Sequence, residues 1–425
     1  MRYSLSWPAS NDVCSPRPDL NAQGETAQTR LAVGILLGLG GLVVVLVTGH
    51  LLSTSTFDLL AWSLVTLLIA RAIRTGEERL WALAGVIAGV ALLNKPLIAF
   101  LLAGLGLGLL IAGPRRALRS RWLWTGLIIA VVIWSPWLLW QASHGWPQLK
   151  VSSSIANGGS GSSQPRWTLL PFQFLLVSPV LAPVWIAGLV ALACDDRLRP
   201  FRFFAVAWLV LVLIFLVSGG KPYYLAGMFP VLLGAGAIQV DSWLERGSTR
   251  LRGGLLGAAI GLSGLVSAVI ALPILPASQA GPVIAANSDV GETIGWPQFT
   301  REVARVYDQA AQTLINAGQT PVIFTSNYGE AGAVDRFGPV LGLPSAYSGH
   351  NGFAEWGPPP DRPGSVITIG LSESELAKHF RGCRLVTRIS NSANVDNDER
   401  GEPIDLCSTT RGSWSQIWSG LRHLG

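Results

Sequence analysis

The sequence predicts a polytopic α-helical membrane protein of about nine spans, followed by a C-terminal extracytoplasmic α/β domain. Three observations predict it. Half of the 425 residues are apolar and only 13% are charged, whereas a soluble chain carries about a quarter charged residues. The deficit is uneven, because charges are sparse from Leu31 to Pro273 and return after Asn287. The basic residues of the first stretch fall in short clusters between apolar runs. That distribution, and not the net charge of +6, decides the partner class: it marks membrane orientation and excludes nucleic acid.

A spanning helix needs about 20 apolar residues. Nine runs qualify: 31–52, 56–73, 79–94, 96–112, 122–140, 170–192, 202–218, 222–239 and 253–275. The third is short, and Asn94-Lys95-Pro96 divides it from the fourth. Proline removes a backbone donor and disfavours helix at the residue before it, so one broken segment, giving eight spans, is the alternative count. Loop charges favour nine. One set of loops holds Arg71, Arg74, Arg79, then Arg115, Arg116, Arg119, Arg121, then Arg197, Arg199, Arg202, then Arg246, Arg250 and Arg252. The opposite set holds Lys95, Lys150, Arg166 and Lys221. The Arg-rich side is cytoplasmic, which puts the N-terminus inside and the C-terminal domain outside a plasma (inner) membrane. Residues 1–30 are polar, with no apolar core near Met1, and the first run is expected to serve as an uncleaved anchor. The divisions are 1–30, a cytoplasmic N-terminus; 31–275, the membrane domain; 276–297, a linker; and 298–425, the outer domain. The 48 glycines allow close helix approach, and the 17 tryptophans suit the interface.

In the outer domain, Phe299, Val303, Val306, Ala310 and Leu314 recur at helical spacing, which predicts a helix over 298–318 ending at Gly318. Strands are expected at 321–325, 365–369 and 383–389, with a helix over 373–380. The alternation predicts α/β structure. Cys383 and Cys407 lie in this exported domain and are candidates for a disulfide. Cys14 and Cys194 face the cytoplasm as thiols. The histidines show no metal-ligand spacing, so no metal site is assigned and a role for a divalent ion stays open. Asn327–Gly332 reads either as an acceptor-binding turn or as a plain turn after a strand, with Glu330 and Asp335 as surface acids. His350, Asn351 and Trp356 read either as a sugar site or as a packed loop.

Charged groups at the outer membrane surface are costly and invite a functional reading. Asp58 is the one carboxylate on the outer side before the outer domain. It reads either as an acid at a helix N-terminus or as an active-site group. Lys95 and Lys221 lie on the same side, each followed by Pro and a new helix. Each reads as a snorkelling side chain; together they suit an anionic headgroup. Tyr223 and Tyr224 are interface aromatics or sugar contacts. His144 and Trp146, in the longest outer loop, are a loop anchor or part of an acceptor site. That loop turns Ser/Gly-rich over 152–163, a flexible composition.

The series Thr56-Phe57-Asp58-Leu59-Leu60, Leu92-Leu93-Asn94-Lys95, Trp134-Ser135-Pro136, His144-Gly145-Trp146-Pro147 and Gly220-Lys221-Pro222-Tyr223-Tyr224 resembles the glycosyltransferase family 39 type. This family includes the dolichyl-phosphate-mannose protein mannosyltransferases and the bacterial aminoarabinose transferases. The likeness runs from about residue 31 to 240. Asn327–Gly332 and Ser348–Asn351 are similar to the C-terminal extension of some bacterial members. The resemblance implies a GT-C fold and a cell-envelope enzyme. Such an enzyme moves a sugar from a polyprenyl-phosphate donor to a glycan, lipid or protein acceptor outside the cytoplasm, with membrane lipid around it. It implies no cofactor beyond that donor. Asp58 corresponds to an acidic position after the third family span. The family's first two spans and its acidic outer loop, which supplies the catalytic base, have no counterpart upstream of Leu31. The expectation is a misplaced start, a truncated gene or a degenerate member. The competing reading is a non-catalytic relative that binds glycan or protein. A transporter would show paired repeats and mid-membrane charge, and neither is evident.

Overall fold

The computed structural model describes residues 42–158, 163–246, 248–314 and 320–424. The polar segment 1–30, the start of the first expected span, Cys14, the tip of the Ser/Gly-rich loop and Gly318 lie outside the described residues. The chain divides into two compact units, the second of which takes in Lys150–Ile155 as well as Pro273–Gly425.

The first unit is helical. Its helices are α1 (Leu42–His50), α2 (Thr54–Thr75), α3 (Arg79–Asn94), α4 (Ile98–Ala112), the short α5 (Arg115–Arg119) and α6 (Arg121–Ser143). After α7 (Pro147–Ala156), whose residues Lys150–Ile155 belong to the second unit, come α8 (Leu169–Val177), α9 (Ala182–Cys194), α10 (Phe203–Ser218), α11 (Phe229–Glu245) and α12 (Thr249–Ala271). Among the described residues, four stretches are long and apolar enough to cross a membrane: Thr54–Thr75, Arg121–Ser143, Pro222–Glu245 and Arg250–Ala271. Helices α3, α4 and α10 are apolar but shorter.

The run expected as one span over 170–192 is instead two helices, α8 and α9, bent by 89°. The break falls at Ser178, whose φ is +90°, followed by Pro179. Proline cannot continue the hydrogen-bond ladder, and it pushes the preceding residue out of helical geometry.

Pairs of helices in this unit touch through backbone. A side chain placed on Gly85 of α3 would run into the Gly126 carbonyl of α6, and one on Gly126 would meet the Trp81 carbonyl. Gly188 of α9 and Gly236 of α11 meet Leu232 and Val184 backbone in the same way, and Gly108 of α4 meets Phe203. With lipid outside there is little hydrophobic drive between helices, so close approach and dispersion do the joining. Trp62, Leu101, Phe203, Phe204 and Phe215 are fully buried inside, while α6 and α12 leave most of their apolar surface outward, as lipid contact requires.

The second unit is a three-layer α/β structure. A five-stranded sheet has the order β2-β1-β3-β6-β5, with β1 (Val322–Thr325), β2 (Ala346–Ser348), β3 (Val366–Ile369), β5 (Arg384–Arg388) and β6 (Pro403–Cys407). Strand β1 runs parallel to β2 and β3, whereas β6 is antiparallel to β3 and β5. A small ribbon pairs β4 (Phe380–Arg381) with β7 (Thr409–Thr410). On one face, Phe299, Val303 and Val306 of α14 (Trp296–Leu314) and Val334 of α15 (Tyr328–Phe337) pack on Ile323, Ile367 and Ile404. On the other face, Leu376 of α16 (Glu373–His379) and Trp414 and Trp418 of α17 (Trp414–Leu421) pack on Phe324, Val366 and Cys407. Cys383 and Cys407 are bonded to each other. The expected helices and three expected strands lie where the periodicity put them, within a few residues. Strands β2 and β6 were not anticipated. The stretch 276–297, expected as a linker, carries short helical pieces, including α13 (Gly281–Ala286), and clusters with this unit.

Glu330 is not a surface group, and Asp335 is half-buried. Asn327 caps α15 by accepting from Glu330 N at 2.9 Å, and the Glu330 carboxylate accepts from Asn327 N at 3.2 Å and Ser326 Oγ at 3.0 Å. This reciprocal cap starts a helix, not a turn, and it draws Glu330 to 0% exposure. Asp335 accepts from Ala346 N at 2.9 Å, tying α15 to β2. Burial pushes the Glu330 carboxyl up to about 8. His350 stacks on His423 at 4.7 Å and lies 4.8 Å from the Tyr328 ring, while Trp356 is 77% exposed.

An acid with a raised folded value keeps its proton in the fold, while the unfolded chain releases it above the ordinary carboxylate value of 4.5. Between 4.5 and about 8 the unfolded chain therefore binds fewer protons, and stability falls as pH rises. Glu330→Gln is expected to match the wild type near pH 5 and to become the more stable of the two by pH 8, by on the order of a few kcal/mol. Thermal unfolding of both proteins across that range checks this, and parallel pH profiles would refute it. Cys383 and Cys407 are expected to resist a thiol alkylating agent until a reductant is added, with peptide mass mapping as the readout.

Candidate active site at the helix ends

The site residues of the first unit come from three places in the chain. Asp58 lies one turn into α2, which Ser53 caps by accepting from Ser55 N at 3.2 Å. Lys95 follows the last residue of α3, where Pro96 ends the helix. Lys221 opens the tight helical turn Pro222–Met228 that leads into α11, after Gly219 ends α10 in the left-handed region at φ +69°.

The structure brings these three together. Asn94 Nδ2 donates to the Thr54 carbonyl at 2.8 Å, and Lys95 Nζ donates to Ser55 Oγ at 2.9 Å. Both bonds fasten the end of α3 to the start of α2. The Lys95 ammonium also stands over the Tyr223 and Tyr224 rings, 5.0 and 5.3 Å from their centroids, within the range where a cation is held by the ring quadrupole. It is within electrostatic reach of both Asp58 and Lys221. Tyr224 packs edge-on against Phe215 at 5.4 Å. Asp58 is only 6% exposed, and its Oδ1 has no hydrogen-bond partner.

Behind these groups the packing is tight. A side chain on Gly227 would collide with the Trp62 ring, so the 222–228 turn presses directly on α2. Gln173 of α8 is fully buried, and its Nε2 donates to the Leu169 carbonyl at 2.6 Å and the Pro222 carbonyl at 2.9 Å. That second bond fixes the turn bearing Lys221, Tyr223 and Tyr224. Neither Ser55 nor Gln173 was singled out from the sequence. A buried amide in the apolar run Leu169–Val177 was the available signal, since polar groups are expensive there.

His144 and Trp146 are placed differently. His144 ends α6, stacked on Trp140 at 4.3 Å, with Nδ1 at 2.9 Å from the Trp140 carbonyl. Trp146, at φ +57°, donates its N–H to the Gln141 carbonyl at 2.8 Å. The hydrogen bonds described for His144 and Trp146 thus run to α6, its following turn and the first turn of α7, where Leu149 N donates to the Trp146 carbonyl at 3.0 Å. Among the described residues no group of three His, Cys, Asp or Glu is arranged to hold a metal ion.

The apolar helices suggest a multi-pass membrane protein, and Asp58, Lys95, Lys221, Tyr223 and Tyr224 come together at the ends of those helices. Residues 25–140 match the family model described as Dolichyl-phosphate-mannose-protein mannosyltransferase. The matched segment contains Asp58 and Lys95 and ends before Lys221. No curated protein and no solved structure matches the chain.

Gln173→Leu leaves the Pro222 carbonyl buried without its donor, at a cost of about 1–3 kcal/mol. The variant is expected to unfold at lower temperature than the wild type in detergent. An unchanged midpoint would mean that the 222–228 turn does not depend on this bond.

Proposed function

We propose that this protein transfers a sugar from a polyprenyl-phosphate donor to an acceptor outside the cytoplasm, at the site formed by Asp58, Lys95 and Lys221. The observation that carries the reading is the convergence of two lysines and one carboxylate, from distant parts of the chain, at the ends of apolar helices. Two ammonium groups against one carboxylate leave a net positive charge, which suits a phosphate that a lipid anchor holds at the membrane face.

The chemistry follows from that charge. In the transfer, the bond between the sugar's anomeric carbon and the phosphate oxygen breaks, and negative charge grows on that oxygen. Lys95 and Lys221 stabilise it more in the transition state than in the intact donor. The acceptor hydroxyl attacks the anomeric carbon and loses its proton, and the Asp58 carboxylate receives it. Ser55, Tyr223 and Tyr224 hold Lys95 in place, so little reorganisation is needed as charge develops. The same rings offer flat apolar surface to the sugar.

Sugar transfer from a labelled polyprenyl-phosphate donor in membranes tests this. Lys95→Ala and Lys221→Ala are each expected to raise the donor KM about tenfold or more. Asp58→Asn is expected to lower kcat by about 10²–10⁴ with the donor still bound. Full activity in both lysine variants would remove the phosphate clamp. Full activity in Asp58→Asn would remove the proton acceptor.

A further inference from the structure

Asp58 and Trp62 stand four residues apart on α2, so their side chains lie on one face of the helix, one turn from each other. Both are buried, at 6% and 1% exposure. Among the described residues, Asp58 Oδ1 and Trp62 Nε1 are each shut away without a hydrogen-bond partner. Buried polar atoms without partners are rare in folded proteins and call for a cause. These two are complementary: one is a carboxylate oxygen that accepts, the other an indole N–H that only donates. The Trp62 side chain is within interaction range of the Asp58 carboxylate, yet the pair is not closed to full hydrogen-bond geometry.

Other buried indoles share part of this state. Trp134, Trp185 and Trp208 also lack an acceptor among the described residues. Those three pack against other rings, Trp134 on Trp137 at 5.4 Å and Trp185 on Trp208 at 6.1 Å. Of the four, Trp62 is the one with a carboxylate a single helical turn away. Its ring is also locked in place. A side chain on Gly227 would come within 2.5–2.7 Å of Trp62 Cβ, Cγ and Cδ2, so the 222–228 turn leaves the indole no room to swing aside. The same turn carries Tyr223 and Tyr224, which stand under the Lys95 ammonium. One segment thus fixes the neighbours of both the lysine and the carboxylate.

We infer that Trp62 is a positioning residue for the transfer reaction: its indole N–H holds Asp58 Oδ1, so that the other carboxylate oxygen faces the acceptor hydroxyl. The inference rests on the role of Asp58 proposed above. A proton acceptor must lie within hydrogen-bond reach of the proton it takes, and a carboxylate free to rotate spends less of its time so placed. The indole steadies the carboxylate without competing for the proton, because it has a donor and no acceptor. Hydrogen bonds of this kind are often long before substrate binds and tighten in the reacting complex.

Sugar transfer by the full-length protein in membranes, from a labelled polyprenyl-phosphate donor and with kcat and donor KM measured separately, tests the inference. Trp62→Phe is expected to lower kcat about tenfold or more while donor KM stays within about twofold. In the Asp58→Asn background the same change is expected to cost about twofold or less, because the proton acceptor it serves is already gone. A tryptophan that only packs would cost the same in both backgrounds. Replacement of Trp62 by 3-benzothienylalanine exchanges the N–H for sulfur and keeps the size of the ring, and it serves if Trp62→Phe does not fold. The same loss of kcat is expected there, with an unchanged unfolding midpoint in detergent. Full kcat in the Trp62 variants beside an inactive Asp58→Asn, or equal losses in the two backgrounds, would overturn the role of Trp62 and leave that of Asp58 standing. Full activity in Asp58→Asn would remove both.

Discussion

The first unit is organised around the cost of placing charge against apolar helices. Asp58 can stay buried there because the half-buried Lys95 answers part of its charge, and Ser55 and two tyrosine rings hold that ammonium in place. Every element near them serves that arrangement. The end of α3 is tied to the start of α2 through Asn94. The turn bearing Lys221 is pinned by Gln173 on one side and pressed onto Trp62 on the other. A buried charge pair that loses one partner is far less stable than either the full pair or an apolar replacement. The site therefore behaves as one piece.

Much of this was legible in the sequence. Apolar run length and sparse charge located most of the helices, and Pro96 correctly marked the end of α3. The pairing of Lys95 with Lys221 could be suspected because each precedes a proline and a new helix. The break at Ser178 was not legible from hydropathy, because Pro179 sits in a run that stays apolar on both sides and only backbone geometry separates the halves. Gln173 was passed over for a related reason: one amide barely changes the mean of an apolar window, although its burial makes it structurally decisive. His144 and Trp146 looked equal in rank to the lysines, yet their turn folds upon α6, which sequence adjacency cannot reveal.

In the second unit, periodicity found the long helix α14 and the apolar strands β1 and β3. Strand β2 has three residues, too few for a pattern, and β6 mixes Pro403 and Asp405 into its run. Both strands exist because neighbouring strands and packed helices select them, not because of local preference. Glu330 was misjudged by the same route. A glutamate near two glycines reads as surface, but Asn327 three residues earlier makes it half of a helix cap, and the cap turns it inward. The strand order places β2 and β3 on opposite sides of β1, so the order of the strands reverses at β1, and Glu330 lies close to Gly370, just past the end of β3.

The sharp break between α8 and α9 bears on how the membrane unit is assembled. The two pieces have 9 and 13 residues, each shorter than the roughly 17–25 that let a helix stand alone across a bilayer. Their junction, with Val177, Ser178 and Leu181 all buried, finds shelter for its exposed backbone in protein rather than in lipid. Neither half can settle in the bilayer as an independent first stage. Each half therefore depends on neighbouring helices for a stable place in the membrane, where a straight span can stand alone.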